Sequence, residues 1–285
     1  MEKYQHYING AWVDSVVKGE SIIVNDPATE EAIGEISCAV KDDVDLAVES
    51  AKKSYESRIL VDMPPMERAN LMRKIADELR KVSKEGGKIL CLENGKLLPA
   101  AEFEFVDAAN YFDYYSGLTD KIEGRTIPVN SKVMDYTIYE PYGVSAHIVP
   151  WNYPISMLAR SLSCAFAAGN STIVKTAELT PLSTASAFAK AIDNAGVPAG
   201  LINIICGYGS GAGNDLTAHK DVSQISFTGS VKTGKAILHA AAERAIPAVV
   251  ELGGKSAAVI MPDADLDKVV NSAKGAIFGQ AGQIC

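Results

Sequence analysis

From Gly143 to Leu252 the chain alternates short apolar runs with helix-forming segments, and no other feature limits the fold as tightly. Strands are expected at Gly143–Val149, Ser171–Thr176, Leu201–Cys206, Val222–Thr228 and Ala248–Leu252. Between them lie helical segments at Pro154–Ala168, Pro181–Ala195, Ala212–His219 and Val231–Arg244. Near-continuous apolar strands separated by helices cannot pair through tight hairpins. They predict an α/β fold with a doubly wound, mostly parallel sheet covered on both faces. In such sheets ligands sit beyond the carboxyl ends of the strands.

The flanking regions read differently. The first forty residues are short strand candidates punctuated by Asn9-Gly10 and Asp26-Pro27. Three helices are expected next, at Lys41–Ser57, Pro64–Ser83 and Pro99–Gly117. Thr126–Tyr142 has a strand-like pattern with a turn near Asn130-Ser131, which predicts a hairpin protruding from the main body. After Gly253-Gly254 a second unit begins, with a strand at Lys255–Met261 and a helix at Asp265–Phe278 introduced by Asp263. The expected division is a main body of residues 1–125 and 143–253, a hairpin at 126–142, and the start of a second α/β unit at 254–285.

Composition removes several function classes. A net charge of -8 argues against a general binder of nucleic acid or anionic membranes. No apolar run is long enough to span a bilayer, and the amino terminus lacks a secretory apolar core. Cys38, Cys91, Cys164, Cys206 and Cys285 include no Cys-x-x-Cys pair, which reads as reduced thiols in a cytoplasmic setting. The scattered His6, His147, His219 and His239 predict no metal site.

Two phosphate motifs nearly appear. Gly207–Gly213 follows a strand and opens a helix but does not spell G-x-G-x-x-G. Gly229-Ser230-Val231-Lys232-Thr233-Gly234-Lys235-Ala236 resembles a P-loop until Ala236, which lacks the hydroxyl that would hold Mg²⁺. These glycines also fit plain turns and helix caps. A better reading puts Gly229 and Ser230 at a helix start, where free N–H groups accept a pyrophosphate. Lys175 and Glu178 follow an apolar strand and suit ribose hydroxyls, or are ordinary charges in a solvated loop. Asn152, between Trp151 and Tyr153, can donate to an oxyanion or merely shape its own turn. Glu251 ends a strand before Leu252-Gly253-Gly254. Desolvation there would tune it as a base near neutral pH, whereas facing water it would be an ordinary carboxylate. Cys285 taken alone is a quiet thiol or a nucleophile.

The ordered set narrows these alternatives. Pro-Trp-Asn-Tyr-Pro (150–154), Lys-Thr-Ala-Glu-Leu-Thr-Pro (175–181), Phe-Thr-Gly-Ser (227–230), Glu-Leu-Gly-Gly-Lys-Ser (251–256) and Gly-Gln-Ile-Cys (282–285) occur in that order. With Tyr7-Ile8-Asn9-Gly10-Ala11-Trp12 upstream, the chain resembles the aldehyde dehydrogenase superfamily from near its start to its last residue. The resemblance implies a Rossmann-like dinucleotide-binding domain with a non-standard phosphate loop, a bridging hairpin that joins subunits, and a catalytic domain. It implies oxidation of a small-molecule aldehyde to a carboxylic acid with NAD, or NADP, through a thiohemiacetal and a thioester on Cys285. Asn152 and the Cys285 N–H would hold the oxyanion, and Glu251 would activate water. Lys175 and Glu178 would bind the adenosine ribose, Gly229 and Ser230 the pyrophosphate, with Trp151, Leu252 and Gly253 beside the cofactor. Met157 and Phe278 would border the aldehyde's entry.

Family members continue well past the nucleophile, so the resemblance implies a fragment of a homo-oligomeric enzyme with little or no activity alone. It also implies uncovered apolar faces at Ala257–Met261 and Ile277–Phe278. A terminal carboxylate beside the thiol would oppose thiolate formation. Two alternatives stay open: a non-catalytic dinucleotide-binding module, and a cofactor-independent thiol esterase. The second would pair Cys285 with a histidine, of which His239 is the nearest in sequence.

Overall fold

The computed structural model describes residues 1–18 and 20–285. In chain order the strands and helices are β1 (Glu2–Tyr4), β2 (His6–Ile8), β3 (Ala11–Val13), β4 (Ser21–Asn25), β5 (Ala32–Ser37), α1 (Lys41–Glu56), α2 (Pro65–Asn94) and α3 (Leu98–Ser116). Then come β6 (Thr126–Asn130), β7 (Val133–Tyr136), β8 (Val144–Ile148), α4 (Pro154–Ala167), β9 (Ser171–Thr176), α5 (Ala189–Asn194) and β10 (Ile202–Cys206). The remainder is α6 (Asn214–Ala218), β11 (Gln224–Gly229), α7 (Val231–Glu243), β12 (Ala248–Leu252) and α8 (Leu266–Phe278). Single π-helical turns, Thr184–Phe188 and Gly209–Gly213, lead into α5 and α6.

The main sheet runs β12-β11-β8-β9-β10-β2-β3. Its first five strands are mutually parallel, β2 joins the β10 edge antiparallel, and β3 pairs antiparallel with β2. The parallel strands therefore reverse their winding direction between β8 and β11. That topological switch point opens a crevice at the carboxyl ends.

Both faces are covered because consecutive strand residues point to opposite sides. Ile173 and Ile205 pack with Val44 and Val48 of α1, Leu216 of α6 and Ile237 of α7. Their neighbours Val174 and Ile204 pack on the other face with residues of α2, α3, α4 and α5 and of the turn before α5, among them Leu79, Phe105, Phe112, Phe166 and Phe188. This is the doubly wound α/β arrangement predicted from the strand–helix alternation. A smaller sheet, β1-β5-β4, lies apart. The hairpin strands β6 and β7 pair only with each other among the described residues, and every residue in them is exposed.

Three sequence expectations are corrected. The second helix does not stop near Ser83 but runs on to Asn94. Gly86 and Gly87 lie in this extension, at a close helix crossing. A Cβ at Gly86 would fall 2.3 Å from the Phe105 ring, and one at Gly87 2.7 Å from the Glu102 backbone. Lys255–Met261 forms no strand, because no described segment pairs with it and its residues are exposed. The last helix is introduced by Asp265 rather than Asp263: the Asp265 carboxylate accepts from the Asp267 and Lys268 N–H groups.

Candidate active site

The residues singled out in the sequence meet at one cavity of about 560 Å³ above the switch point. β8 delivers Trp151 and Asn152, β9 delivers Lys175 and Glu178, β11 delivers Gly229 and Ser230, and β12 delivers Glu251, Leu252 and Gly253. The segment following α8 brings Cys285 to the same wall. Strand register explains part of the convergence. Ile148 stands opposite Lys175, and Gly229 opposite Leu252, so neighbouring strands end side by side.

Lys175 is not a solvated loop residue. It is 3% exposed, and its Nζ donates to a Glu178 carboxylate oxygen at 3.1 Å. The pair presents a donor and an acceptor together, which is the chemistry a ribose diol requires. Ser230 caps α7, its Oγ accepting from the Thr233 N–H at 3.2 Å. The first N–H groups of that helix have no intrahelical acceptor and face the anion-favouring end of its dipole. Gly209 borders the same cavity, so the glycine run after β10 also contributes. These donors fit the ribose and pyrophosphate of a dinucleotide.

Asn152 does not bond within its own turn. Its Nδ2 donates to the Gln283 carbonyl at 2.9 Å, two residues before the thiol. The turn itself is clamped from below. The Asn152 carbonyl accepts from Lys96 Nζ at 2.9 Å and from Gln280 Nε2 at 2.9 Å. The Trp151 carbonyl accepts from Asn94 Nδ2 at 2.8 Å and Thr180 Oγ1 at 3.1 Å. Lys96 is also paired with Glu104, and both side chains are almost fully buried. The second Glu104 oxygen accepts the N–H groups of Ile155 and Ser156, satisfying the first turn of α4. Burial pulls the Lys96 pKa down and pushes the Glu104 pKa up, and each partner's charge opposes the shift. Lys96 Nζ also lies 4.9 Å from the centre of the Tyr153 ring. Burial raises the Tyr153 pKa, and Cys285 is close enough to contribute to that rise.

Sequence reasoning missed this support. Its only signal was the polar run Glu93-Asn94-Gly95-Lys96 between two helices, and nothing in that run points to a turn 56 residues away. Glu93 is spent on a parallel task. Its buried carboxylate accepts the Leu182 and Ser183 N–H groups, and burial pushes its pKa up to about 7.

Glu251 differs from its expected setting. Its side chain is 56% exposed, so the desolvation predicted from the apolar strand is absent. It faces the cavity, 3.8 Å from Arg160. With both partners this exposed, the contact is weak and screened by solvent. Met157 lines the cavity as expected, but Phe278 does not and is 67% exposed. No histidine lines the cavity among the described residues, so the thiol–histidine pair needed by the esterase alternative is not formed.

A second cavity of about 420 Å³ adjoins the first through Arg160 and Glu251, which line both. Its floor is a buried hydrogen-bonded chain: Gln224, Ser145, His147 and Ser161. Burial lowers the His147 pKa to about 4, so the ring is neutral at physiological pH.

The chain is similar in sequence and fold to known proteins. The model of the family described as "Aldehyde dehydrogenase family" matches residues 12–285. An aldehyde dehydrogenase of Emericella nidulans is 39% identical over 280 residues, 98% of this chain and 56% of the relative. An NAD+ complex structure of aldehyde dehydrogenase from Bacillus cereus superposes with a TM-score of 0.96 at 37% identity, covering 100% of this chain and 58% of the other. An NADP-dependent enzyme of E. coli superposes with a TM-score of 0.95 at 33% identity, covering 100% and 58%. The chain thus spans somewhat more than half the length of these relatives. On its sequence and its fold, the chain belongs to the aldehyde dehydrogenase family.

Proposed function

We propose that this chain carries the cofactor cleft and the reacting groups for oxidation of an aldehyde to a carboxylic acid with NAD(P)+. The observation that carries the reading is the cavity shared by Cys285, Glu251, Asn152 and the Lys175–Glu178 pair. Lys175 and Glu178 hold the adenosine ribose, and the start of α7 holds the pyrophosphate. Trp151, Leu252 and Gly253 flank the path from there to Cys285. A 2′-phosphate would meet the Glu178 carboxylate, so NAD is favoured and NADP is tolerated.

The Cys285 thiolate adds to the aldehyde carbon, and the carbonyl π pair moves onto oxygen. Asn152 Nδ2 exchanges the Gln283 carbonyl for that oxyanion, which the Cys285 N–H also holds. Bound NAD(P)+ supplies the hydride acceptor. As the oxyanion pair re-forms the carbonyl, the former aldehyde C–H bond breaks, its hydride would leave to that acceptor, and Cys285 carries a thioester. Glu251 takes a proton from the water that attacks it, releasing the acid and restoring the thiol.

The exposed hairpin supports assembly. Ile127, Val129, Val133, Met134 and Tyr136 all face outward, an apolar ribbon suited to a second copy in a homo-oligomer. All five cysteines are free, which fits a reducing compartment such as the cytoplasm. No described helix is long and apolar enough to cross a membrane.

Calorimetric titration with NAD+ and NADP+, followed by aldehyde addition, tests the reading. NADH absorbance and acid-quenched mass spectrometry report the chemistry. Saturable NAD+ binding, NADH formation abolished by Cys285→Ser, and an acyl adduct on Cys285 that accumulates in Glu251→Gln are expected. Saturable binding with neither NADH nor adduct would favour the non-catalytic dinucleotide-binding module. Aldehyde oxidation unaffected by Cys285→Ser would overturn the mechanism.

A further inference from the structure

The segment that carries Cys285 also holds Asn152 in a bonded state. Asn152 Nδ2 donates to the Gln283 carbonyl at 2.9 Å, its one acceptor among the described residues. Gln283 grips the core with its side chain as well, Nε2 donating to the Asn94 carbonyl at 3.2 Å. Beyond it, the Gly254 N–H donates to the Cys285 carbonyl at 3.2 Å.

One side of this segment is fixed and the other can turn. Gln280 is 3% exposed, and its Nε2 donates to the Asn152 carbonyl at 2.9 Å. Between Gln280 and Gln283 lie only Ala281 and Gly282, and both adopt left-handed backbone, at φ 52° and 78°. Glycine takes that conformation freely, whereas an alanine is strained in it. Both residues are exposed, and a Cβ added at Gly282 would meet nothing within 4 Å, so the pair has room to rotate. The bonded arrangement is also incompletely satisfied. Gln283 Oε1 and Asn94 Oδ1 are both buried, and neither has a donor among the described residues. Two unmet acceptors and a left-handed alanine thus oppose the few hydrogen bonds that hold the segment. Opposing contributions of similar order make a two-state element.

We infer that Gln283 is a latch on the oxyanion donor and that Ala281-Gly282 is its hinge. In the latched state the Gln283 carbonyl occupies the Asn152 amide. Rotation at the hinge withdraws that carbonyl and leaves the amide to an oxyanion. This rests on the proposed roles of Asn152 and Cys285. Gln283 is a positioning residue that acts through Asn152, and the latch sets what fraction of molecules can hold the oxyanion.

Propanal added without cofactor reads the latch, because the reaction stops at the thiohemiacetal. The S–C bond forms, the carbonyl π pair moves onto oxygen, and that oxygen takes up the thiol proton. The propanal concentration that half-protects Cys285 from iodoacetamide is measured by mass spectrometry on the peptide ending at Cys285. Cys164, which is exposed, serves as the reference thiol, and Cys206, which is 1% exposed, reports an intact fold by staying unmodified. Gln283→Ala removes the grip on Asn94 while keeping the backbone carbonyl, and it should lower the half-protecting concentration about threefold or more. Ala281→Gly relieves the strained φ of the latched state and should raise that concentration by a similar factor. A residue that merely braced the segment would give weaker protection in Gln283→Ala. That result, or unchanged values in both variants with Cys206 silent, would overturn the latch. Protection of Cys285 no stronger than that of Cys164, in parent and variants alike, would instead sink the proposed oxyanion site beneath it.

Discussion

Helices α4 and α8 carry the two halves of the site, and their surroundings are opposite. Both are amphipathic, and each carries one residue of the proposed chemistry near one of its ends: Asn152 before α4, Cys285 after α8. α4 buries Ile155, Leu158, Ala159, Leu162 and Phe166 against the sheet and its neighbours, whereas α8 has no buried residue. The turn before α4 is fixed by Lys96, Asn94, Thr180 and Gln280. The thiol's segment is tied by fewer bonds, chiefly Asn152 to the Gln283 carbonyl, Gln283 to the Asn94 carbonyl, and the Gly254 N–H to the Cys285 carbonyl. The Asn152 turn is thus built into the core, while Cys285 lies on a peripheral element held to it at a few points.

The largest effect is expected at Lys96. Lys96→Met leaves the Glu104 carboxylate buried without its cation, and such losses cost about 3–5 kcal/mol. Urea unfolding should show that loss, and a change below about 1 kcal/mol would mean the clamp is not structural. Asn152 should lose its orientation in the same variant, seen as altered Cys285 alkylation under folded conditions.

Acid provides the next test. His147 has a pKa near 4 in the fold against an ordinary value of 6.5, so the unfolded chain binds a proton that the folded chain refuses between those values. Its contribution to stability is complete above about pH 6.5 and falls as pH drops toward 4, by up to about 3 kcal/mol. Glu93 works in the opposite direction. With its pKa raised to about 7, the folded chain binds the extra proton, and its contribution improves as pH falls from 7 toward 4.5. His147→Asn should therefore weaken the acid sensitivity of unfolding between pH 6.5 and 4, and Glu93→Gln should accentuate it. Identical pH profiles for parent and His147→Asn would contradict the buried neutral ring.

A smaller effect is expected at the periphery. Asp265→Ala removes the cap of α8, worth about 1 kcal/mol for helix ends generally. Because α8 buries nothing, global unfolding should barely move, while amide exchange within Leu266–Phe278 should accelerate. An equal acceleration in α4 would show the two regions to be one cooperative unit.

The fold's centre was legible because largely apolar strands alternate with helix-forming segments, and several of those strands end beside a residue able to do chemistry. Ile173-Val174 leads to Lys175, and Val249-Val250 leads to Glu251. The carboxyl-end rule alone then gathers Asn152, Lys175, Ser230 and Glu251. Cys285 was legible through its motif rather than through any pattern of periodicity. What escaped was information carried by tertiary contact. The close crossing at Gly86-Gly87 is set by Phe105 and Glu102, which no local pattern carries. The buried Lys96–Glu104 pair reads as two surface charges. Arg160 looks like one more polar residue on the exposed side of α4 until β12 places Glu251 beside it. Lys255–Met261 has strand chemistry, but a strand needs a partner, and none of the described residues provides one.

One cleft runs from the Lys175–Glu178 pair to Cys285. The most direct measurement is the alkylation rate of Cys285 by iodoacetamide with and without saturating NAD+, using Cys164, exposed on the far end of α4, as the internal reference. NAD+ should change the Cys285 rate at least about threefold and leave Cys164 unchanged, with the effect lost in Lys175→Ala. A Cys285 rate indifferent to NAD+ would place the thiol outside the cofactor's cleft and contradict the account.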